Sequence, residues 1–166
     1  YAREIARMAG MSEKECDDVY LAGLLHDVGK IAIPDNILLK PGKLTAEEFD
    51  EMKLHTTRGC KIIESIKDAW SDEYKKVSYE ICRYHHEKYD GKGYPDKLEG
   101  DEIPIHAQIV SIADVYDALT SKRCYKDSYA KDTAYEMIIT GQCGVFNPKL
   151  LDCLTKIKEK YAAFNI

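Results

Sequence analysis

Apolar residues recur three and four positions apart along almost the whole chain, and no stretch shows the period of two that a half-buried strand needs. Residues 1–10 put Ile5 and Met8 on one helical face and stop at Gly10. Residues 11–30 open on Ser12 with Glu15 three positions later, the spacing of a capping box, and carry Val19, Leu21, Leu24, Leu25 and Val28 as an inward stripe. Pro34 and the segment KPGK at 40–43 interrupt the pattern. A single helix over 44–66 follows, capped by Thr45 with Glu48, its stripe made of Phe49, Met52, Ile62 and Ile63. Residues 74–86 predict a further helix with Val77, Ile81 and Tyr84 at helical spacing. Residues 87–104, EKYDGKGYPDKLEGDEIP, change character and predict a long irregular loop, a length at which loops usually carry function. Helices over 105–121, with Ile109, Ile112, Val115 and Leu119 inward, and over 131–140 and 148–162 complete an all-α chain.

Composition narrows the classes. The 166 residues, 45% hydrophobic and 32% charged, suit one globular domain with a proper core. A net charge of −5 argues against a binder of nucleic acid polymers or anionic membranes. The longest apolar runs, such as IAIP and YLAGLL, are far too short to span a bilayer, and no signal peptide is visible. The chain opens at Tyr1 rather than Met, as a piece of a longer protein would. Six cysteines, at 16, 60, 82, 124, 143 and 153, form no CxxC pair, so they are expected to be reduced, mostly buried thiols of a cytoplasmic protein. The twelve tyrosines do not alternate with basic residues and so form no nucleic-acid stacking platform. The acidic run EKECDD suits the start of a helix, where negative charge meets the dipole.

Candidate chemistry begins in LLHDVGK, where His26 and Asp27 interrupt an apolar run. One histidine in a helix is more often a hydrogen-bonded core residue than a ligand. The rest of the chain shifts that balance. His55 falls in the third long helix, His85 and His86 are adjacent at the end of the next, and Asp114 sits among isoleucines in IVSIADVYDAL. A buried carboxylate without a partner costs several kcal/mol. A shared metal would satisfy all these groups, and imidazole with carboxylate suits iron, manganese or zinc. Asp27, with two oxygens, is the natural bridge between two cations, and paired cations about 4 Å apart are the usual clamp for attack on a phosphodiester. Lys30, four residues after His26, would project from the same helical face toward a phosphate, the plainer alternative being a solvated lysine.

HDVGK, a lone histidine in KLHTTRG, then HHEKYDGKGYP and IADVYDALTSKR together resemble the HD-GYP family, a branch of the HD-domain metal-dependent phosphohydrolases. HHE, DG and GYP at fixed spacing are a family signature, and the resemblance runs over the whole chain, including IPDNILLKPGKLTAEEF. It implies an all-α HD-domain bundle of about seven helices with a long GYP loop. It implies two or three divalent ions, iron or manganese, and hydrolysis of cyclic di-GMP to pGpG and on to GMP. Carried onto this chain, the ligands are His26, Asp27, His55, His85, His86 and Asp114, with Asp27 the bridge and, with Lys30, the catalytic pair. Lys30 would contact the scissile phosphate; Gly93, Tyr94 and Pro95 would line the substrate mouth, with Tyr94 touching guanine or ribose and Gly91 and Gly93 easing the path; Arg123 and Lys126 would hold substrate phosphate. Glu87 is a candidate to support the ligating histidines or a helix-end surface acid, and His106 a surface or capping residue. Asp117 reads as a capping or hydrogen-bonding acid rather than a support of the metal site.

Departures from the family pattern are also visible. Gln108 stands where arginine is common, Cys124 where proline is, and a further histidine ligand is expected on a helix upstream of Tyr1. The family context adds a receiver or sensory domain upstream and a diguanylate cyclase as partner. The alternatives are a non-catalytic module that senses cyclic dinucleotides or docks a partner, and an HD phosphohydrolase for another nucleotide such as cyclic GMP-AMP.

Overall fold

In the computed structural model of the protein, residues 1–66, 69–122 and 128–163 are described, the last three by backbone alone. Among the described residues run α1 (Ala2–Met8), α2 (Glu13–Gly23), α3 (Asp35–Leu38), α4 (Ala46–Lys53), α5 (His55–Ser65), α6 (Asp72–Tyr84), α7 (Ile105–Thr120), α8 (Lys131–Ile139) and α9 (Pro148–Ala163). Two 3-10 turns, Val28–Ala32 and Gly100–Glu102, interrupt the connections. The all-α class stands. Nine helices rather than about seven arise from the short α3 and from a break that divides α4 from α5.

Local chemistry explains where the helices begin. Ser12 and Glu15 form the reciprocal capping box of α2, and Thr45 and Glu48 that of α4. The Ser71 hydroxyl accepts from the Tyr74 N–H to start α6. α9 starts on Pro148, whose missing N–H costs nothing at that position, while Asn147 Oδ1 accepts from the Lys149 N–H.

α7 sits centrally, against α6, α1 and α8. Its Ile109 and Ile112 are fully buried, each contributing roughly 1.5–3 kcal/mol. They join Ile5, Val19, Ile81, Ile138 and Leu150 in one core drawn from six helices. A smaller cluster of Cys60, Ile63 and Cys82, with Val28 packed on it, ties α5 to α6 beneath the 28–32 turn. The five described cysteines are free, and four of them are buried.

Four expectations about the helices need correction. The helix predicted over 11–30 ends at Gly23, and residues 24–30 continue as turns held by bonds to the third residue back, such as Leu25 N–H to Ala22 O and Val28 N–H to Leu25 O. Its buried face is Cys16, Val19 and Ala22; Leu21 and Leu24 are exposed, because Leu21 lies two positions past Val19 and so on the opposite side.

The helix predicted over 44–66 breaks at Leu54. There three successive side chains capture three successive carbonyls: His55 Nδ1 binds Met52 O, Thr56 Oγ1 binds Lys53 O, and Thr57 Oγ1 binds Leu54 O. Such short-range bonds compete with the helical ladder, and here they bend it. Phe49, expected in the inward stripe, is instead exposed.

Among the described residues, no helix is long and apolar enough to cross a membrane.

Candidate metal centre

The unwinding after α2 and the break before α5 serve one geometry. Asp27 occupies the sparsely populated bridge region (φ −100°, ψ 10°) between α2 and the 28–32 turn. His55 becomes the first residue of α5, and His85 the residue that ends α6. Asp114 projects from α7, and His86 follows His85 out of α6.

Two glycines let these segments meet. A Cβ on Gly29 would lie 1.8 Å from His55 O, and one on Gly59 would lie 2.3 Å from Cys82 Sγ. The 28–32 turn thus packs backbone to backbone on α5, and α5 packs on the Cys82 side chain of α6. Neither glycine stood out in the sequence; a non-local close approach leaves no periodic signal.

The histidines are oriented through their outer nitrogens. His26 Nδ1 is 2.7 Å from Gly23 O, His55 Nδ1 2.8 Å from Met52 O, and His85 Nδ1 3.0 Å from Ile81 O. A carbonyl can only accept, so each Nδ1 carries the proton and turns Nε2 inward. His55 Nε2 then lies 3.5 Å from His85 Nε2 and 3.3 Å from Asp27 Oδ1, which in turn is 3.9 Å from His85 Nε2. Asp27 Oδ1 is buried without a hydrogen-bond donor. One ligand atom each from Asp27, His55, His85 and His86 lies within 4.8 Å of the others.

Asp27 Oδ2 faces the other way, 3.2 Å from His26 Nε2 and 2.5 Å from Lys30 Nζ. His26 Nε2 is also 3.6 Å from Asp114 Oδ1. Asp27 therefore stands between two groups, one of imidazoles and one of His26 with Asp114. Lys30 reaches it from a 3-10 turn, three residues on, and not from the helical face expected.

Electrostatics divides the histidines. Burial opposes a charge on His26, but the Asp114 and Asp27 carboxylates outweigh it and raise its pKa to about 10. Burial would raise Asp27 as well, yet His26 and Lys30 hold it well below the usual carboxylate range. Burial lowers His55, and burial with the nearby His26 charge lowers His85 to about 3. His86 is pushed down in the same way, first by burial and then by its histidine neighbours. Three neutral imidazoles and a carboxylate oxygen without a donor thus converge. That donor set is electron-rich throughout and fits a divalent cation of nitrogen and oxygen preference.

Tyr94 closes one side. Its ring stacks on His86 with centroids 4.7 Å apart at 29°, and its N–H donates to His86 O at 3.3 Å. Gly93 makes this possible, because a Cβ there would fall 2.3 Å from Glu87 Cα. Gly91 takes a positive φ of 71°, and Pro95 follows Tyr94 through a cis peptide bond. Arg123 and Lys126, together with Cys124, lie outside the described residues.

Glu87 is neither a surface acid nor a partner of the histidines. It is buried, and its Oε1 accepts from the N–H groups of Asp96 (2.7 Å) and Lys97 (3.0 Å). It clamps the exit of the GYP segment, a role that only loop geometry reveals. Its other oxygen is buried without a donor, and burial raises its pKa. A Glu87→Ala substitution is expected to strand two amides and cost about 1–3 kcal/mol by denaturant unfolding, with faster proteolysis within 88–100. Unaltered stability would remove Glu87 from this role.

His106 neither caps α7 nor lies free; it pairs with Glu80 across to α6 at 3.3 Å. Gln108 is buried, bonding Ile103 O and the Asn147 side chain rather than any residue of the centre. Asp117 accepts from the Ser121 hydroxyl at 3.3 Å.

Comparison with known proteins comes at three levels. The family model described as HD domain matches residues 1–150. The 3'3'-cGAMP-specific phosphodiesterase 2 of Vibrio cholerae is 42% identical over 98% of this chain and 30% of its own length. The cyclic di-GMP phosphodiesterase response regulator RpfG of Xanthomonas campestris is 42% identical over 92% of this chain and 39% of its own, and a cyclic di-GMP phosphodiesterase of Thermotoga maritima 40% identical over 94% and 41%. The chain thus spans well under half the length of these relatives. Among solved structures, an HDG"Y"P protein from Bdellovibrio bacteriovorus superposes with a TM-score of 0.68 at 22% identity, over 93% of this chain and 48% of that one.

Proposed function

The chain belongs to the HD domain family, in its HD-GYP branch, and on that premise we propose that it is a metal-dependent phosphodiesterase of cyclic dinucleotides, acting on cyclic di-GMP. The observation that carries this reading is the convergence of Asp27 Oδ1, which accepts no hydrogen bond, with the inward Nε2 atoms of His55 and His85. His55, His85, His86 and Asp27 would hold one iron or manganese ion, and His26, Asp114 and Asp27 another. Bound there, such ions supply Lewis-acid polarisation of the phosphodiester and an acidified water.

The chain's own groups do the rest. The carbonyl-bound Nδ1 atoms keep the His55 and His85 imidazoles fixed and their Nε2 atoms unprotonated. Lys30 pairs with a non-bridging oxygen of the scissile phosphate, exchanging its contact with Asp27 for one with substrate. Tyr94 bounds the mouth, and Arg123 and Lys126 take the substrate's phosphates. Water adds to phosphorus, the P–O3' bond breaks, and the leaving oxygen takes a proton, giving pGpG and, after a second round, GMP. A relative named a response regulator supports an upstream receiver domain in the full protein.

The test is anaerobic purification, metal analysis and incubation with cyclic di-GMP. Turnover to pGpG or GMP, abolished by a chelator and restored by ferrous or manganous ion, is the expected result. Manganous ion at 100 times its dissociation constant should also raise stability by about 2.7 kcal/mol. Fully metallated protein that hydrolyses no cyclic dinucleotide would overturn the reading, and binding without turnover would leave a sensing module.

A further inference from the structure

Phe49 lacks a place in either core cluster, though it lies on the apolar stripe of α4. It is 46% exposed. What it touches is the metal centre's own wall. Its ring meets Tyr94 edge to face at 6.3 Å, and Tyr94 stacks on His86. A row of rings therefore leads outward from the ligands and ends at the half-exposed Phe49 ring, with Lys53 over one face. Lys53, one helical turn after Phe49, holds its ammonium 4.8 Å from the Phe49 centroid and 5.9 Å from that of Tyr94. Its carboxylate partner is Asp50 at 2.7 Å, whose side chain is 72% exposed. Such a surface pair is weak and readily shared.

Taking the centre as a site for cyclic dinucleotides, as proposed above, we infer that Phe49 and Lys53 form the recognition site for one purine base and favour guanine. With a phosphate at the metal centre, a base projects outward along the row of rings. An exposed aromatic face stacks on any base. Lys53 supplies the discrimination, because an ammonium is donor only: it matches the O6 and N7 acceptors of guanine and opposes the N6 amino group of adenine. A lysine bound to phosphate would serve all cyclic dinucleotides alike.

The experiment compares wild type, Lys53→Met and Phe49→Leu, metal-loaded, on cyclic di-GMP, 3'3'-cGAMP and cyclic di-AMP, with GMP and AMP binding measured by calorimetry. Lys53→Met keeps the stem's bulk and removes the charge. It is expected to reduce the preference for cyclic di-GMP over cyclic di-AMP, and for GMP over AMP, about tenfold. Phe49→Leu should raise KM on all substrates about tenfold with kcat and thermal stability held. An equal loss on every substrate for Lys53→Met makes it a phosphate contact and overturns the inference, as does no change. A Phe49→Leu protein that loses kcat or stability marks Phe49 as a prop for Tyr94, which overturns it too. If wild type turns over no dinucleotide, the phosphodiesterase reading fails, while the GMP and AMP titrations still decide the base site.

Discussion

An Asp27→Asn protein is expected to lose most of its bound metal and to turn over cyclic di-GMP at least about a thousandfold more slowly, the loss of several kcal/mol of transition-state stabilisation. Asp27 is the residue that touches both halves of the centre. Oδ1 faces the Nε2 atoms of His55 and His85, while Oδ2 faces His26 and Lys30. Asparagine keeps the volume but has one oxygen and no charge, so it cannot serve both sides. In addition, its amide nitrogen would point a donor into one of the two ligand groups. Circular dichroism should remain helical, because the core of α1, α2, α6, α7, α8 and α9 lies apart from this side chain. Metal content by plasma emission and rates by chromatography of products are the measurements. Wild-type metal content with wild-type turnover would dismiss Asp27 as the bridge.

Gly29→Ala is expected to cost about 3 kcal/mol or more and to lower the melting temperature by roughly 6–12 °C. The added methyl would meet His55 O at 1.8 Å and Gly59 N at 2.5 Å. Both obstacles are backbone, so no side chain can swing aside, and the 28–32 turn must lift from α5. That movement carries His26 and Asp27 away from His55, so metal affinity falls together with stability. Gly23→Ala is the control: there a Cβ meets only Val110 Cγ2 at an ordinary 3.5 Å, inside α2. It should be neutral or stabilising by up to about 1 kcal/mol, since alanine is the better helix former. Thermal unfolding of both proteins decides the matter. If the two substitutions behave alike, the backbone contact at Gly29 does not constrain the fold.

Much of this molecule is legible in one dimension because it rests on local rules. Ser12 with Glu15 and Thr45 with Glu48 announce two helix starts, and they make the reciprocal bonds that their spacing implies. The stripe of Ile109, Ile112 and Leu119 announces the buried face of α7. The chemistry is legible in kind as well: four histidines and two aspartates among apolar residues point to one shared site.

What the tertiary structure decided is wherever a local tendency competes with a distant neighbour. Periodicity carries the helix through His26 and Asp27, but α2 stops at Gly23 and the turns that follow aim Asp27 in two directions. Periodicity also carries a helix through Leu54, but the side chains of His55, Thr56 and Thr57 compete for the Met52, Lys53 and Leu54 carbonyls at the break. Glu87 reads as an acid at a helix end until the loop folds back and brings the Asp96 and Lys97 amides to it. Phe49 reads as core until α4 turns it toward Tyr94. The sequence by itself determined the helical class, the caps and the kinds of ligand. The folded chain alone decided their convergence, because a metal site is defined by distances between residues far apart in sequence, and a repeat of 3.6 residues says nothing of those.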